Sequence, residues 1–534
     1  MRKIYIPFLC CTAVLLGACS DEETFHPDYQ LTIEADTTMA VTVSDATPHQ
    51  TIDGFGSSDA WDMEYVGRYW SDQQKSAIAK MLFSQEIDNG QPEGIGLSQW
   101  RVNIGGGTAE QGSESGIADD SKERRVECYL SADGSYNWSK CSGQRYFMEQ
   151  AKKYGVQDFV FFSNTPPVYY TKNGKGFSNS GDQSNLRDDC YDKFGDFLAT
   201  VAEHFQQAGY PVTYISPVNE PQYNWDGGQE GSGWQNSQVA RVARSLDAAL
   251  TAHNLSDTKM LLAEAGKWNY LYETAGDAGS GRSRVADDFF DSSSPNYIGN
   301  LQHMPALLCA HSYWLDTSWD ELQRSRQAAA DVATKHGLKL WQTEWSMLSD
   351  RYDFFENYDA ASYMDLALAM SEVMHNDLTV ANVSSWSYWT SCSCERWSQK
   401  SRFYLIRLVP QSGDYGQLTE GGTASSGKNL WVLGNYSLFI RSGYQRIDIT
   451  LPITDHSLFA SAYVSPEKDK LVVVITNTKH KSVKVEPTIT IGGKTAENPV
   501  EYVTSNTLDL KRVPNYETTI LPARSVSTLV YDLK

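Results

Sequence analysis

The sequence predicts an α/β fold, a (β/α)8 TIM barrel with a side β-sandwich domain, and three observations carry that expectation. Short apolar runs alternate with amphipathic stretches from about Thr51 to Thr390. After about Gly427 the chain becomes β-rich, broken by Gly, Pro, Asn and Lys turn clusters. Its 534 residues exceed one minimal domain and suit a large barrel with an appended β module.

The runs that read as parallel barrel strands are Ile52 to Ser57, Gly96 to Ile104, Asp158 to Asn164, Val212 to Asn219, Met260 to Ala265, Leu307 to Tyr313, Lys339 to Glu344 and Val383 to Trp389. Between them, segments such as Tyr191 to Gln207 and Ser237 to His253 repeat apolar residues three or four apart, the period of a helix with one buried face. The later runs Val472 to Ile475, Val485 to Ile491 and Ser525 to Tyr531 read as sandwich strands. Leu31 to Val43 also alternates like a strand, so both chain ends are expected to build the second domain. The expected divisions are a lipoprotein signal peptide over 1–18, a lipidated tether over 19–29, N-terminal sandwich strands over 30–46, the catalytic barrel over 47–426 and the sandwich over 427–534.

The N-terminus carries Met1-Arg2-Lys3, an apolar run from Ile4 to Leu16, and Gly17-Ala18-Cys19, the layout of a secretory signal too short to span a bilayer as a mature helix. Leu16-Gly17-Ala18-Cys19 resembles a bacterial lipobox, which implies lipidation of Cys19 and anchoring at the outer membrane or cell surface. Ser20-Asp21-Glu22-Glu23 resembles an acidic surface-export tag, with an unstructured acidic tether as the alternative. The formal charge of −21 disfavours nucleic acid and anionic membrane surfaces as partners, leaving the lipid as the expected membrane contact and a neutral ligand as the expected substrate. The 15 Trp and 30 Tyr suit stacking on sugar rings, although large β-rich domains also bury many aromatics. Cys128, Cys141, Cys190, Cys309, Cys392 and Cys394 remain in the mature chain, and six thiols allow fifteen disulfide pairings. Cys392-Ser393-Cys394 is too closely spaced for a structural zinc pair, so no metal and no cofactor is expected. The chain is expected to be a monomer.

Catalytic side chains of such barrels sit where the strands end at the C-terminal face. The fourth run finishes Val218-Asn219-Glu220-Pro221 and the seventh Gln342-Thr343-Glu344-Trp345, which places two glutamates on opposite sides of the barrel mouth. Paired carboxyls cleave glycosidic bonds, one donating a proton to the leaving oxygen and the other acting from the far side. Glu220 is the candidate general acid/base and Glu344 the candidate nucleophile. Asn219 offers an amide to a substrate hydroxyl, and Tyr313 at the sixth strand's tail is placed to hydrogen-bond Glu344. His311 shares Tyr313's facing and either bonds substrate or fills the barrel. Two phosphate-loop look-alikes fail: Gly422 to Asn429 ends in Asn429 where Ser or Thr is needed, and Gly105-Gly106-Gly107 lacks dinucleotide-loop spacing.

Asn219-Glu220-Pro221 and Thr343-Glu344-Trp345 resemble the acid/base and nucleophile motifs of the retaining glycosidases that place them on strands four and seven. Ile52 to Ser57, Trp100 to Gly107, Leu433 to Arg441 and Leu521 to Val526 narrow the resemblance to glycoside hydrolase family 30 over nearly the whole mature chain. The resemblance implies that Arg101 contacts the nucleophile, and that Asp59, Asn164, Tyr313 and Trp389 line the subsite before the cleaved bond. Asn164 to Gly174 looks most like the family's endo-β-1,6-galactanases, which act on arabinogalactan-type side chains. A β-1,6-glucanase is the nearest alternative, followed by a xylanase or other β-glycosidase of the family. A surface glycan-binding lipoprotein without catalysis is the alternative of another class, and the presence of both glutamates argues against it.

Overall fold

The computed structural model describes residues 38–179, 181–351, 354–397, 400–514 and 519–534. The signal-like segment, Cys19 and the tether lie outside the described residues.

Eight parallel strands form the barrel: Gly54–Ser58, Gln99–Asn103, Asp158–Phe162, Val212–Ser216, Lys259–Met260, Leu307–His311, Lys339–Glu344 and Val383–Tyr388, called strands one to eight below. They are hydrogen-bonded in the order 5-4-3-2-1-8-7-6. The sheet closes between strands five and six, where Cys309 N donates to Leu262 O and His311 N to Ala265 O, both at 2.8 Å. Strand two shows why its sequence fits a barrel wall. Trp100 faces outward and meets Phe83 of the helix Asp72–Phe83 edge-on at 4.9 Å, while inward Gln99 accepts a hydrogen bond from Ser385 on strand eight. Arg101 shares the inward face by the period of two.

The outer helices bury one stripe each. In Tyr191–Gln207 the buried positions include Phe194, Phe197, Leu198, Val201, Ala202 and Phe205, spaced three and four apart. Helix Tyr363–Thr379 differs, with apolar residues buried almost all round from Met364 to Leu378, because it lies between barrel and second domain.

The second domain is one nine-stranded hydrogen-bonded sheet wrapped around its own core of Val41, Val43, Val473, Ile475, Val485 and Leu529 among others. The N-terminal strand Thr38–Ser44 enters it, antiparallel to Gln445–Thr450 and parallel to Val483–Thr490, so both chain ends build this domain. The boundary expected near Gly427 falls at the N-cap of a helix, Lys428–Ser437, and the next strand of the second domain starts at Gln445. Two of the sequence motifs hold the domains together. Asn435 bonds Val526 O and Thr528 Oγ1, and Arg524 pairs with Asp365 in the first turn of helix Tyr363–Thr379.

The six cysteines among the described residues, Cys128, Cys141, Cys190, Cys309, Cys392 and Cys394, are all buried as free thiols, so none of their fifteen pairings is formed in this structure.

Candidate active site

A cavity of about 1010 Å³, mouth included, opens at the C-terminal ends of the strands. Its lining includes Asn164, Asn219, Glu220, Tyr313, Glu344 and Trp389, each at the tail of a different strand or next to another in sequence. Trp61 and Trp225 add aromatic wall, and Ser121, Glu123 and Arg124 come from the long loop after strand two. Trp61 meets Trp389 edge-on at 5.2 Å.

Beneath the cavity lies a cluster of three carboxylates and two cations. Arg101 donates from Nη1 to Glu344 Oε1 and from Nη2 to Asn219 Oδ1 at 3.1 Å, and the same Nη2 is 3.4 Å from Glu264 Oε1. Its guanidinium stacks 3.7 Å over the Phe162 ring, which fixes its plane. His311 Nδ1 is 2.8 Å from Glu220 Oε1 and 3.4 Å from Glu344 Oε2, and its Nε2 is 3.0 Å from Glu264 Oε2. Tyr313 donates to Glu344 Oε2 at 3.3 Å. One ligand atom each of Glu220, His311 and Glu344 lies within 4.8 Å of the others. That spacing would admit a cation, but Arg101 and His311 already supply the countercharge.

The backbone sets these positions. An irregularity in strand seven between Gln342 and Glu344 brings Glu344 level with His311 of strand six. Glu220 and Glu264 both hold positive φ, 42° and 48°, a conformation uncommon in non-glycine residues. Glu220 N donates to Glu264 O at 2.9 Å, and Trp225 Nε1 donates to Glu220 O at 3.0 Å.

Charge follows from burial and neighbours. Burial disfavours a charged His311, but Glu344, Glu220 and Glu264 around it raise its pKa to about 10, so it is an imidazolium donating from both nitrogens. Burial likewise opposes ionisation of Glu264, yet Arg101, His311 and Thr343 lower it to about 2. Glu344 is raised by burial and by the nearby Glu220 and Glu264, against the pull of His311 and Arg101. With all three carboxylates ionised the buried cluster would carry one surplus negative charge; one proton on the Glu220–Glu344 pair makes it neutral.

Asp59, expected to line the subsite, and His311, expected either to bond substrate or to fill the barrel, are both absent from the cavity lining. Asp59 is fully buried and does not line the cavity, and Asn103 N and Gln144 Nε2 donate to its two oxygens. His311 is also fully buried and is spent on glutamates instead of substrate. Arg101 sits under the floor against Glu344. From Asn164 to Gly174, only Asn164 lines the cavity. Sequence reasoning missed Glu264, although a lone acidic residue in Met260-Leu261-Leu262-Ala263-Glu264-Ala265, at the tail of a barrel strand, was a signal.

A sequence model described as O-glycosyl hydrolase family 30 matches residues 38–401. The chain belongs to that family. It is a glycoside hydrolase with the family's barrel and β-rich domain. Among its relatives is an endo-β-1,6-galactanase of Hypocrea rufa, 25% identical over 461 residues, 83% of this chain and 81% of the relative. A glucuronoxylanase, XynC, of Bacillus subtilis is 24% identical over 364 residues, 66% of this chain and 70% of the relative. The crystal structure of a conserved exported protein from Bacteroides fragilis is 31% identical with a TM-score of 0.83, covering 92% of this chain and 100% of that one.

Proposed function

We propose that this glycoside hydrolase is a retaining endo-β-1,6-galactanase, with Glu220 as general acid/base and Glu344 as nucleophile. The observation that carries the mechanism is the approach of Glu220 and Glu344 to within 4.8 Å through their nearer oxygens. Retaining pairs stand about 5–5.5 Å apart, whereas inverting pairs need about 6.5–9.5 Å to admit a water. Arg101 and His311 both lie against Glu344, countercharges that stabilise its anion as it attacks and leaves. In the first step a Glu344 oxygen bonds the anomeric carbon as the glycosidic C–O bond breaks, and Glu220 passes its proton to the leaving oxygen. In the second, Glu220 takes a proton from water, whose oxygen displaces Glu344 and restores both carboxyl groups.

The sugar and linkage rest on the likeness of Asn164 to Gly174 to galactanases and on the coverage of the fungal relative. We place the enzyme at the cell surface on the strength of the lipobox-like Cys19. The test is product analysis on β-1,6-galactan, β-1,6-glucan and glucuronoxylan, with the configuration of the first-formed product followed by proton NMR. Oligosaccharides from galactan with retained β-configuration are expected. Release from glucan or xylan alone would overturn the substrate, and an inverted first product would overturn the mechanism. Glu344→Gln is expected to abolish turnover while leaving glycan binding largely intact.

A further inference from the structure

A fully buried ion pair outside the cavity wall takes no part in the bond-making steps. Arg326 of helix Trp319–His336 donates from Nε to Asp377 Oδ1 of helix Tyr363–Thr379 at 2.8 Å, and neither side chain is reached by solvent or lines the cavity. Burying two charges is costly unless their remaining atoms are also satisfied. Here most of those further bonds run to the catalytic face. Asp377 Oδ2 accepts from Ser312 Oγ, at the tail of strand six, at 2.8 Å and from the Trp386 indole of strand eight at 2.9 Å. Ser312 Oγ itself accepts from Trp268 Nε1, just beyond strand five, at 2.8 Å. Arg326 Nη1 donates to Leu315 O. One carboxylate thus gathers strands five, six and eight around strand seven, which carries Glu344 and lies between six and eight.

Between the two anchored residues, Ser312 and Leu315, lie Tyr313 and Trp314, and just beyond them Asp316 accepts from Trp345 Nε1 at 2.8 Å. Trp314 holds a φ of 64°, a backbone conformation that a bulky residue rarely adopts, so this short strap must be held from outside. The Trp314 side chain is 45% exposed and does not supply the hold. Tyr313 is the residue that benefits. It is buried, and its hydroxyl reaches Glu344 Oε2 at 3.3 Å, long for an O–H···O bond, so a shift of a few tenths of an ångström in the strap would lose the contact.

We propose that Asp377, paired with Arg326, is a positioning residue for the nucleophile: through Ser312 it fixes the strap from which Tyr313 reaches Glu344. The proposal rests on the glycosidase reading, with Glu344 as nucleophile, and extends it to a helix that also packs on the second domain. A double-mutant cycle tests it. Ser312→Ala removes only the bridging hydroxyl and is expected to lower kcat on β-1,6-galactan about tenfold when Tyr313 is present. In a Tyr313→Phe background the same change is expected to alter kcat by less than about twofold, because the hydroxyl it positions is gone. Asp377→Asn should show the same dependence on Tyr313, and if that variant fails to fold, Ser312→Ala decides alone. A general weakening of the fold would cost kcat equally in both backgrounds, so equal losses, or no loss beside Tyr313, would overturn the positioning role. Crystal structures of the parent and of Ser312→Ala read the coupling without turnover. The contact between the Tyr313 hydroxyl and Glu344 is expected to open beyond hydrogen-bond reach, and an unchanged contact would also overturn the role. A parent that cleaves no glycan, while the contact opens in Ser312→Ala, would remove the glycosidase reading and keep the strap.

Discussion

His311 holds Glu220 through a 2.8 Å contact from Nδ1, and its other nitrogen is bound to Glu264, a residue that does not line the cavity. The proposed acid/base is therefore oriented by a cation whose charge depends on a glutamate beneath it. Glu264 is a positioning residue, and removing its charge should act on the pH profile more than on substrate affinity.

Glu264→Gln is expected to lower the pKa of His311, moving the alkaline limb of kcat to lower pH with KM little changed. A uniform loss of activity at every pH would assign Glu264 a structural role only.

Stability carries the same signature. His311 is raised from 6.5 to about 10, so its contribution is fully present below pH 6.5 and is lost as pH rises toward 10. Glu264 is lowered from 4.5 to about 2, so its contribution is present above pH 4.5 and is lost as pH falls toward 2. Thermal melts across pH should show both arms in the parent protein. In Glu264→Gln the acid arm should flatten and the alkaline loss should finish at lower pH.

Arg101 engages Glu344 and Asn219 with separate nitrogens, a fork that lysine cannot reproduce. Arg101→Lys should cost kcat on the order of 100-fold with a smaller change in KM, as expected for lost stabilisation of the reacting group. Arg101→Met leaves Glu264 and Glu344 short of a buried cation and should destabilise the fold by about 3–5 kcal/mol, read by chemical denaturation.

Glu220→Gln removes the proposed proton donor and should lower kcat on galactan by about 10²–10⁴-fold. Aryl glycosides with acidic leaving groups need no proton at the first step, so their rate of glycosyl-enzyme formation should fall far less. Equal losses on both substrates would take Glu220 out of the acid role.

Trp389 lines the cavity and is propped by Trp61 edge-on and by the Phe162 ring at 6.1 Å. Trp389→Ala should raise KM about tenfold through lost stacking, with a smaller effect on kcat. Steady-state kinetics on oligosaccharides of fixed length will show the split.

Much of this enzyme is local and therefore legible in its residues. The alternation of apolar runs with amphipathic stretches marked the barrel, because strand and helix periods are properties of neighbouring positions. The paired glutamates could be read because each ends a strand and a barrel gathers its strand tails at one face. Other properties were settled only by folding. Asp59 sits next to the first strand in sequence, but the packing of Gln144 from a distant helix turns its carboxylate inward. The charge on His311 arises from Glu220, Glu264 and Glu344, which come from three other strand tails, and no single segment contains that sum. Sequence determined the barrel and the pair of carboxyls, since those follow from spacing along the chain. Tertiary structure decided how the pair is held and charged, since electrostatics in a buried cluster depends on distances between residues that the sequence keeps far apart.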